Sequence, residues 1–268
     1  ARSRNWKNAL AEAENLVQRG VRELVLTGVN LGTYSSEGSG ITELCDALAG
    51  LDGLRRIRIS SLEPTTFSPE LMDRMADPAH PLMPFLHLPL QSACDRILRR
   101  MRRRYTLAEF NAFLRECLHR CPDLCLGTDI MVGFPGETEE EFEQTCTFFL
   151  QQPFAYGHVF PFSERDGTRI MKSRGETFVP VQERRRRANR QRQLSAGKQR
   201  RFLESKLGTR QEVLFENPRE SWFPGYTRDY ARVFLPRNGT DLRNRLAPVR
   251  IDSLGAGALY GTLAGEPV

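Results

Sequence analysis

Between residues 5 and 160 the chain alternates short runs rich in β-branched and aromatic residues with stretches of helical periodicity. This alternation constrains its fold more than any other feature. The strand candidates are RELVLTG (22–28), RRIRISS (55–61), PFLHLPL (84–90), CLGTDIMVGF (125–134) and YGHVFPF (156–162). Amphipathic stretches lie near 6–19, 41–50, 68–76, 94–103, 106–121 and 139–151. Strands that alternate with helices predict βαβ units and a parallel sheet covered by those helices. No glycine-rich dinucleotide fingerprint accompanies them, so a barrel or partial barrel fits at least as well as an open sheet. In either arrangement ligands gather at the carboxyl ends of the strands. Two helix starts are marked by capping boxes, Thr106 with Glu109 and Thr138 with Glu141.

Past Pro180 the character changes. Residues 181–206 form a long, Arg-dense helical stretch leading to Gly208. Short β-type runs follow: QEVLFE (211–216), YARVFL (230–235), APVRIDSL (247–254) and ALYGTL (258–263). Asn217-Pro218, Asn238-Gly239 and Gly255 supply the turns between them. Short strands broken by turn signals predict a small all-β barrel. The expected organisation is an α/β partial parallel barrel over 1–179, a basic helical connector over 180–206 and the β-barrel over 207–268.

With 268 residues, 40% hydrophobic and 27% charged, the chain can bury a sizeable core. No apolar run approaches the roughly 20 residues that span a bilayer, and no secretion signal is visible, so no membrane role is expected. Six cysteines without paired spacing fit reduced thiols in a cytoplasmic setting. The net charge of +6 is uneven: residues 181–206 hold eight Arg and two Lys against Glu183 and Glu204, or +8, which leaves −2 elsewhere. A basic segment on a neutral body points to a polyanion partner, although a solvated Arg-rich helix face accounts for the same charge. The chain opens on ARSRNWKNALAEAENLV without an initiator Met, and it reads as a piece of a longer protein.

The most informative stretch is TDIMVGFPGETEEEFEQT, where a strand runs into Gly133-Phe134-Pro135-Gly136 and Thr138 caps a helix with an acidic first turn. Two glycines let backbone approach a flat ligand closely. The acidic turn argues against a phosphate there and leaves an adenine or ribose contact, or simply a tight turn. Gln91 with Ser92, and Ser60, Ser61 and Glu63, also fall at strand ends, where polar residues tend to be functional. No metal-ligand set is expected.

Taken in order, LTGVNLGTY, RIRISSLEP, HLPLQS…DRILRRMRRRYT, TDIMVGFPGETEEEF and HVFPFSERDGT resemble the motifs of the radical S-adenosylmethionine methylthiotransferases. GYTRDYARV (225–233) is similar to part of their TRAM domain, an RNA-binding barrel. The resemblance covers essentially the whole chain. It implies a radical SAM barrel, tRNA as partner, S-adenosylmethionine as methyl donor and radical source, and [4Fe-4S] clusters in the complete protein. LTGVNLG and HVFPFS resemble most the branch that methylthiolates C2 of N6-threonylcarbamoyladenosine beside the anticodon. The alternatives are the isopentenyladenosine tRNA branch, the ribosomal-protein aspartate branch, and an RNA-binding module without catalysis.

Carried over by position, the resemblance implies that Thr27, Gly28, Val29 and Asn30 face the methionine moiety, and that Ser61 and Glu63 line the cavity. It likewise implies that Gln91 and Ser92 lie beside the ribose, Val132, Gly133, Phe134 and Pro135 near the adenine, and Arg165 near the methionine carboxylate. One departure is visible: Ser92-Ala93-Cys94 stands where the family has Ser-Gly-Ser, and a positive φ at Ala93 would be costly. The family's Cys-x3-Cys-x2-Cys loop precedes an Arg-Ser-Arg, and the chain begins Ala1-Arg2-Ser3-Arg4. The cluster loop is therefore expected upstream, and the chain alone inactive. For RNA the candidates are Arg184, Arg185, Arg186, Arg187 and Arg190, with Trp222, Tyr226 and Tyr230 as stacking groups.

Cys117, Cys121 and Cys125 are spaced four and four, which invites a cluster reading. Phe110, Phe113, Leu114, Cys117 and Cys121 instead make one apolar helical stripe, ended by Pro122. The helix-to-strand turn that follows belongs at the strands' N-terminal face, opposite the ligand end. Three unligated thiols acting as small hydrophobes are expected.

Overall fold

The computed structural model describes residues 2–60, 62–172 and 177–268. Five parallel strands form an arc. They are β1 (Glu23–Leu26), β2 (Arg56–Ile59), β3 (Phe85–Gln91), β4 (Cys125–Val132) and β5 (Phe154–Pro161). The β1–β2 pair joins the β3–β4–β5 sheet through a parallel bridge between Ile57 and Leu82. Outside the arc lie α1 (Trp6–Gln18), α2 (Ile41–Ala49), α3 (Pro69–Ala76), α4 (Asp95–Arg100), α5 (Leu107–Arg120) and α6 (Glu139–Gln151). Both expected capping boxes form, at Thr106 and Thr138.

Period-two alternation assigns the two faces of the arc. Leu86, Leu88 and Leu90 of β3 point outward and are fully buried with Phe110, Leu114 and Phe142 from the helices. Burying each such side chain contributes about 1.5–3 kcal/mol, so strand phase is fixed strongly. The alternate positions, 87, 89 and 91, then face the inside of the arc.

A short helix α7 (Arg169–Lys172) precedes α8 (Val181–Glu204), the predicted basic helix. It packs along β5 and α6. Its buried residues Arg184, Arg187, Ala188, Gln191 and Ser195 form one stripe, and the Ser195 hydroxyl both accepts from the Gly157 amide and donates to the Gly157 carbonyl, each at 2.8 Å. α8 is thus part of the large domain's wall.

The C-terminal region closes into a five-stranded barrel of β6 (Arg210–Phe215), β7 (Trp222–Thr227), β8 (Arg232–Pro236), β9 (Leu246–Gly255) and β10 (Ala258–Leu263). The sequence shows four of these. β7, WFPGYT, contains Pro224 and Gly225, which read as breakers, yet it pairs with both β6 and β8. β8 starts two residues later than predicted, because Tyr230 occupies a left-handed turn at φ 70°.

The two domains are locked through the N-terminal half of the arc. Arg56 is fully buried and donates to the carbonyls of Tyr226 and Glu212 at 2.8 and 2.9 Å. Arg58, also buried, donates to the carbonyls of Arg228 and Thr227 at 2.8 and 2.7 Å and pairs with Glu23 at 2.9 Å. The alternating arginines of RIRI are therefore interdomain donors.

Candidate functional site

The inside of the arc carries a polar cluster built from three adjacent strands. His87 on β3 donates through Nε2 to Asp129 Oδ1 of β4 at 2.9 Å, and His158 Nδ1 of β5 reaches the same oxygen at 3.5 Å. The imidazole rings of His87 and His158 stack at 5.1 Å. Tyr156 lies across Gly127, where any side chain would run into its ring, and brings its hydroxyl to 3.3 Å from His87 Nδ1. Burial alone would raise the Asp129 carboxyl, but the His87 hydrogen bond and the charges of His87, His158 and Arg103 hold it below its ordinary value. One ligand atom from each of His87, Asp129 and His158 lies within 4.8 Å of the others, so this set could hold a metal ion. Sequence reasoning missed it. The signal available was strand phase, since 87, 129 and 158 all fall on the inner face.

At the strands' carboxyl ends the predicted residues come together unevenly. Thr27, Gly28 and Val29 are exposed after β1. The Asn30 side-chain oxygen accepts from Gly32 N, Thr66 Oγ1 and Glu63 N, so it knits the loops after β1 and β2. Glu63 pairs with Arg103 at 3.1 Å on the rim. Gln91 ends β3 in a left-handed conformation, φ 66°, with a buried side chain. That is where the positive φ falls, not at Ala93, which is fully buried and donates its amide to Thr145. Ser61 lies outside the described residues.

Other carried-over side chains face away from the lumen. The Ser92 hydroxyl accepts from Cys94 N and meets Thr145 Oγ1 of α6. Val132 points into the main core, and Phe134 packs with Cys94, Ile97 and Phe162. What 132–135 offers a ligand is backbone. The Gly133 amide donates to the buried Glu137 carboxylate at 2.6 Å, and Glu137 in turn accepts from Arg187 at 2.8 Å. Arg165 is exposed and has no side-chain partner among the described residues.

Comparison with known proteins decides the family: residues 1–149 match the family model described as "Radical SAM superfamily". The chain belongs to the radical SAM superfamily. It is also 34% identical over 268 residues to a tRNA-2-methylthio-N(6)-dimethylallyladenosine synthase of Jannaschia sp. (strain CCS1), covering 97% of this chain and 57% of that protein. It is 33% identical over 260 residues to threonylcarbamoyladenosine tRNA methylthiotransferase MtaB of Bacillus subtilis (strain 168), covering 95% and 57%. The chain spans little more than half the length of these curated relatives. Among solved structures it is similar to the coproporphyrinogen III oxidase HemN of Escherichia coli, with TM-score 0.46 and 15% identity over 75% of this chain and 46% of that one.

Radical SAM chemistry draws on S-adenosylmethionine and an iron–sulfur cluster, and the two fit these residues differently. The open carboxyl-end mouth, with exposed Thr27 and Gly28 and the buried amide of Gln91, suits an adenosine-bearing cofactor. The cysteines do not suit a cluster. All six are free and buried. Cys117, Cys121 and Cys125 sit at the end of α5 and the start of β4, as the stripe predicts. Burial pushes the Cys117 and Cys121 thiols up to about 12 and about 11, and Cys125 higher still.

The five α8 arginines expected at RNA divide by burial, with Arg184 and Arg187 inside and Arg185, Arg186 and Arg190 at the surface. Arg184 and Arg187 are 6% and 5% exposed. Arg184 donates to Val179 O and Phe162 O and pairs with Glu164, while Arg187 pairs with Glu137, Glu139 and Glu183. Arg186 pairs with Glu139 and Glu183, and Arg190 with Glu143. Only Arg185 of the five is exposed without a partner among the described residues. Tyr226 and Tyr230 stack on each other at 4.7 Å, with Tyr230 against Phe85 and under Arg58, so they serve the domain junction. Trp222 is exposed at the barrel surface and meets Tyr260 at 5.2 Å and Phe234 at 6.4 Å edge-on, with Arg232 over Phe234. No described helix is long and apolar enough to cross a membrane.

Proposed function

We propose that the chain is the substrate-facing portion of a cytoplasmic tRNA methylthiotransferase acting on C2 of N6-threonylcarbamoyladenosine. The observation that carries this reading is the polar lumen of His87, Asp129, His158 and Tyr156, with the Arg103–Glu63 pair at its rim. A threonylcarbamoyl group brings a carboxylate, a hydroxyl and a urea, all able to bond these side chains. A dimethylallyl group would desolvate the same side chains without replacing their hydrogen bonds. Sites built for hydrogen bonding reject analogues lacking the polar group by as much as about 10⁴–10⁵-fold. Relatives of both kinds are equally similar at 34% and 33%, so lumen chemistry favours the branch where overall identity does not.

S-adenosylmethionine would be held at the strand ends by Thr27, Gly28, Asn30, Glu63, Gln91 and Arg165. With an iron–sulfur cluster supplied by residues beyond those described, it provides the methyl group and the radical chemistry. The chain's own residues orient the reactants. Gln91 presents its amide from a fixed left-handed strand end, and Glu137 with Arg187 fixes the Gly133 loop. Tyr156 and Asp129 hold His87, which leaves the exposed His158 to meet the substituent. The TRAM-like barrel would stack RNA bases on Trp222, Phe234 and Tyr260.

Expression with the natural upstream sequence, followed by mass spectrometry of tRNA nucleosides, tests the reading. The expected product is 2-methylthio-N6-threonylcarbamoyladenosine, lost or strongly reduced in His158→Ala. A product built on dimethylallyladenosine, or no methylthiolated nucleoside, contradicts it. The buried, high-pKa cysteines favour a second reading for the chain by itself, an RNA-binding unit without catalysis. Its mark is tRNA affinity that falls steeply with salt, with a log–log slope of about −0.9 per duplex phosphate contacted.

A further inference from the structure

Arg102 stands where the fold prefers glycine. Helix α4 ends in a Schellman turn: the Arg103 amide donates to Leu98 O and the Arg102 amide to Arg99 O, both at 3.0 Å. Arg102 has φ 61°, the left-handed conformation in which a Cβ crowds the backbone. A residue held in this conformation persists where its surroundings fix it, and here the two Schellman bonds do so. Yet the Arg102 guanidinium is exposed and has no partner among the described residues.

Its neighbours divide by direction. Arg100 donates to Pro135 O at 2.5 Å in the loop after β4, and Arg103 pairs with Glu63 at 3.1 Å in the loop after β2. These two inward arginines pin the turn across the carboxyl-end mouth of the lumen. Arg99 and Arg104 point outward with Arg102; Arg99 makes one bond, to the Asp95 carbonyl at 3.2 Å, and Arg104 makes none among the described residues. Asp95 accepts from the Leu107 amide and Glu109 from the Thr106 amide, and neither forms an ion pair with these arginines. Among the described residues no carboxylate pairs with the outward three.

We infer that Arg99, Arg102 and Arg104 form a phosphodiester-binding rim that contacts the RNA backbone flanking the nucleotide inserted into the lumen. This rests on the tRNA reading above and names the part of the chain that would hold the backbone. The guanidinium fork matches phosphate oxygens, and a charge held out on a turn pinned to the mouth meets the strand as its base enters. The partner is identified by chemistry alone: a polyanion with a flat base to insert.

The test is an anisotropy titration of tRNA against the whole chain across a salt series, paired with thermal melting. Arg102→Gly relaxes the turn, so its melting temperature stays level or rises. Its tRNA affinity falls about threefold to tenfold, and the magnitude of its log–log salt slope drops by about one. Arg102→Lys restores most of the slope. An Arg102→Gly chain with unchanged affinity and slope overturns the inference while leaving the tRNA reading intact. A wild-type chain that binds no tRNA at low salt overturns both.

Discussion

Two segments of this chain, 99–104 and 184–190, carry five arginines each, and the structure puts them to opposite uses. In 184–190 four of the five are paired or buried: Arg184 and Arg187 brace the loops after β5 and β4, and Arg186 and Arg190 neutralise glutamates of α6. In 99–104 two arginines brace and three face outward at the mouth. Two segments of equal apparent charge thus differ in space: 184–190 is largely wall, and 99–104 keeps three arginines at the surface. Charge counted along a sequence becomes field at a surface only after the acids that meet it in space are subtracted.

The largest expected effect probes the wall. Arg187→Met leaves Glu137 buried without its cation, and breaking one side of a buried pair costs about 3–5 kcal/mol. Urea midpoints should show this, and Arg187→Met with Glu137→Gln should recover much of it. If Arg187→Met weakens tRNA binding at unchanged stability, the segment is a surface after all. Next comes Arg56→Met at the domain junction, which strips charged donors from the Tyr226 and Glu212 carbonyls. About 2–4 kcal/mol is expected, with the single melting transition splitting into two by calorimetry.

Acid gives a smaller, signed test. Hydrogen bonds from Arg186 and Arg187 hold Glu183 down at about 2, and a hydrogen bond from Arg96 does the same for Glu141, against an ordinary 4.5. Their folded values lie below the unfolded one, so they stabilise fully above pH 4.5 and lose that stabilisation as pH falls towards 2. Glu137 runs the other way, since burial raises it despite the Gly133 and Arg187 bonds; its protonation on acidification relieves a cost. Denaturant midpoints at pH 6, 4 and 2.5 should fall for the wild type and fall less for Glu141→Gln. The smallest effect belongs to Arg190→Ala, which removes a half-exposed pair with Glu143 worth about 0–1 kcal/mol and should leave tRNA affinity unmoved.

What was legible in the sequence follows the same division. Strand–helix alternation, both capping boxes and the apolar stripe through Cys117 are local patterns, and each reappears in the fold. β7 stayed hidden because Pro224 and Gly225 obey the barrel's long-range pairing over their own turn preference. The inner cluster stayed hidden because His87, Asp129 and His158 are far apart in the chain, on three successive strands, and meet only through strand register. The roles of Arg184, Arg187 and Tyr230 depend on partners from other elements, which residue type alone does not reveal.

The most direct measurement compares tRNA salt slopes for two grouped variants of the whole chain, Arg99→Ala/Arg102→Gly/Arg104→Ala and Arg185→Ala/Arg186→Ala/Arg190→Ala. The first should lose about two to three in the magnitude of the log–log slope, and the second about one or less. The reverse ranking would contradict the account, returning the RNA surface to α8 and leaving the strained turn at Arg102 unexplained.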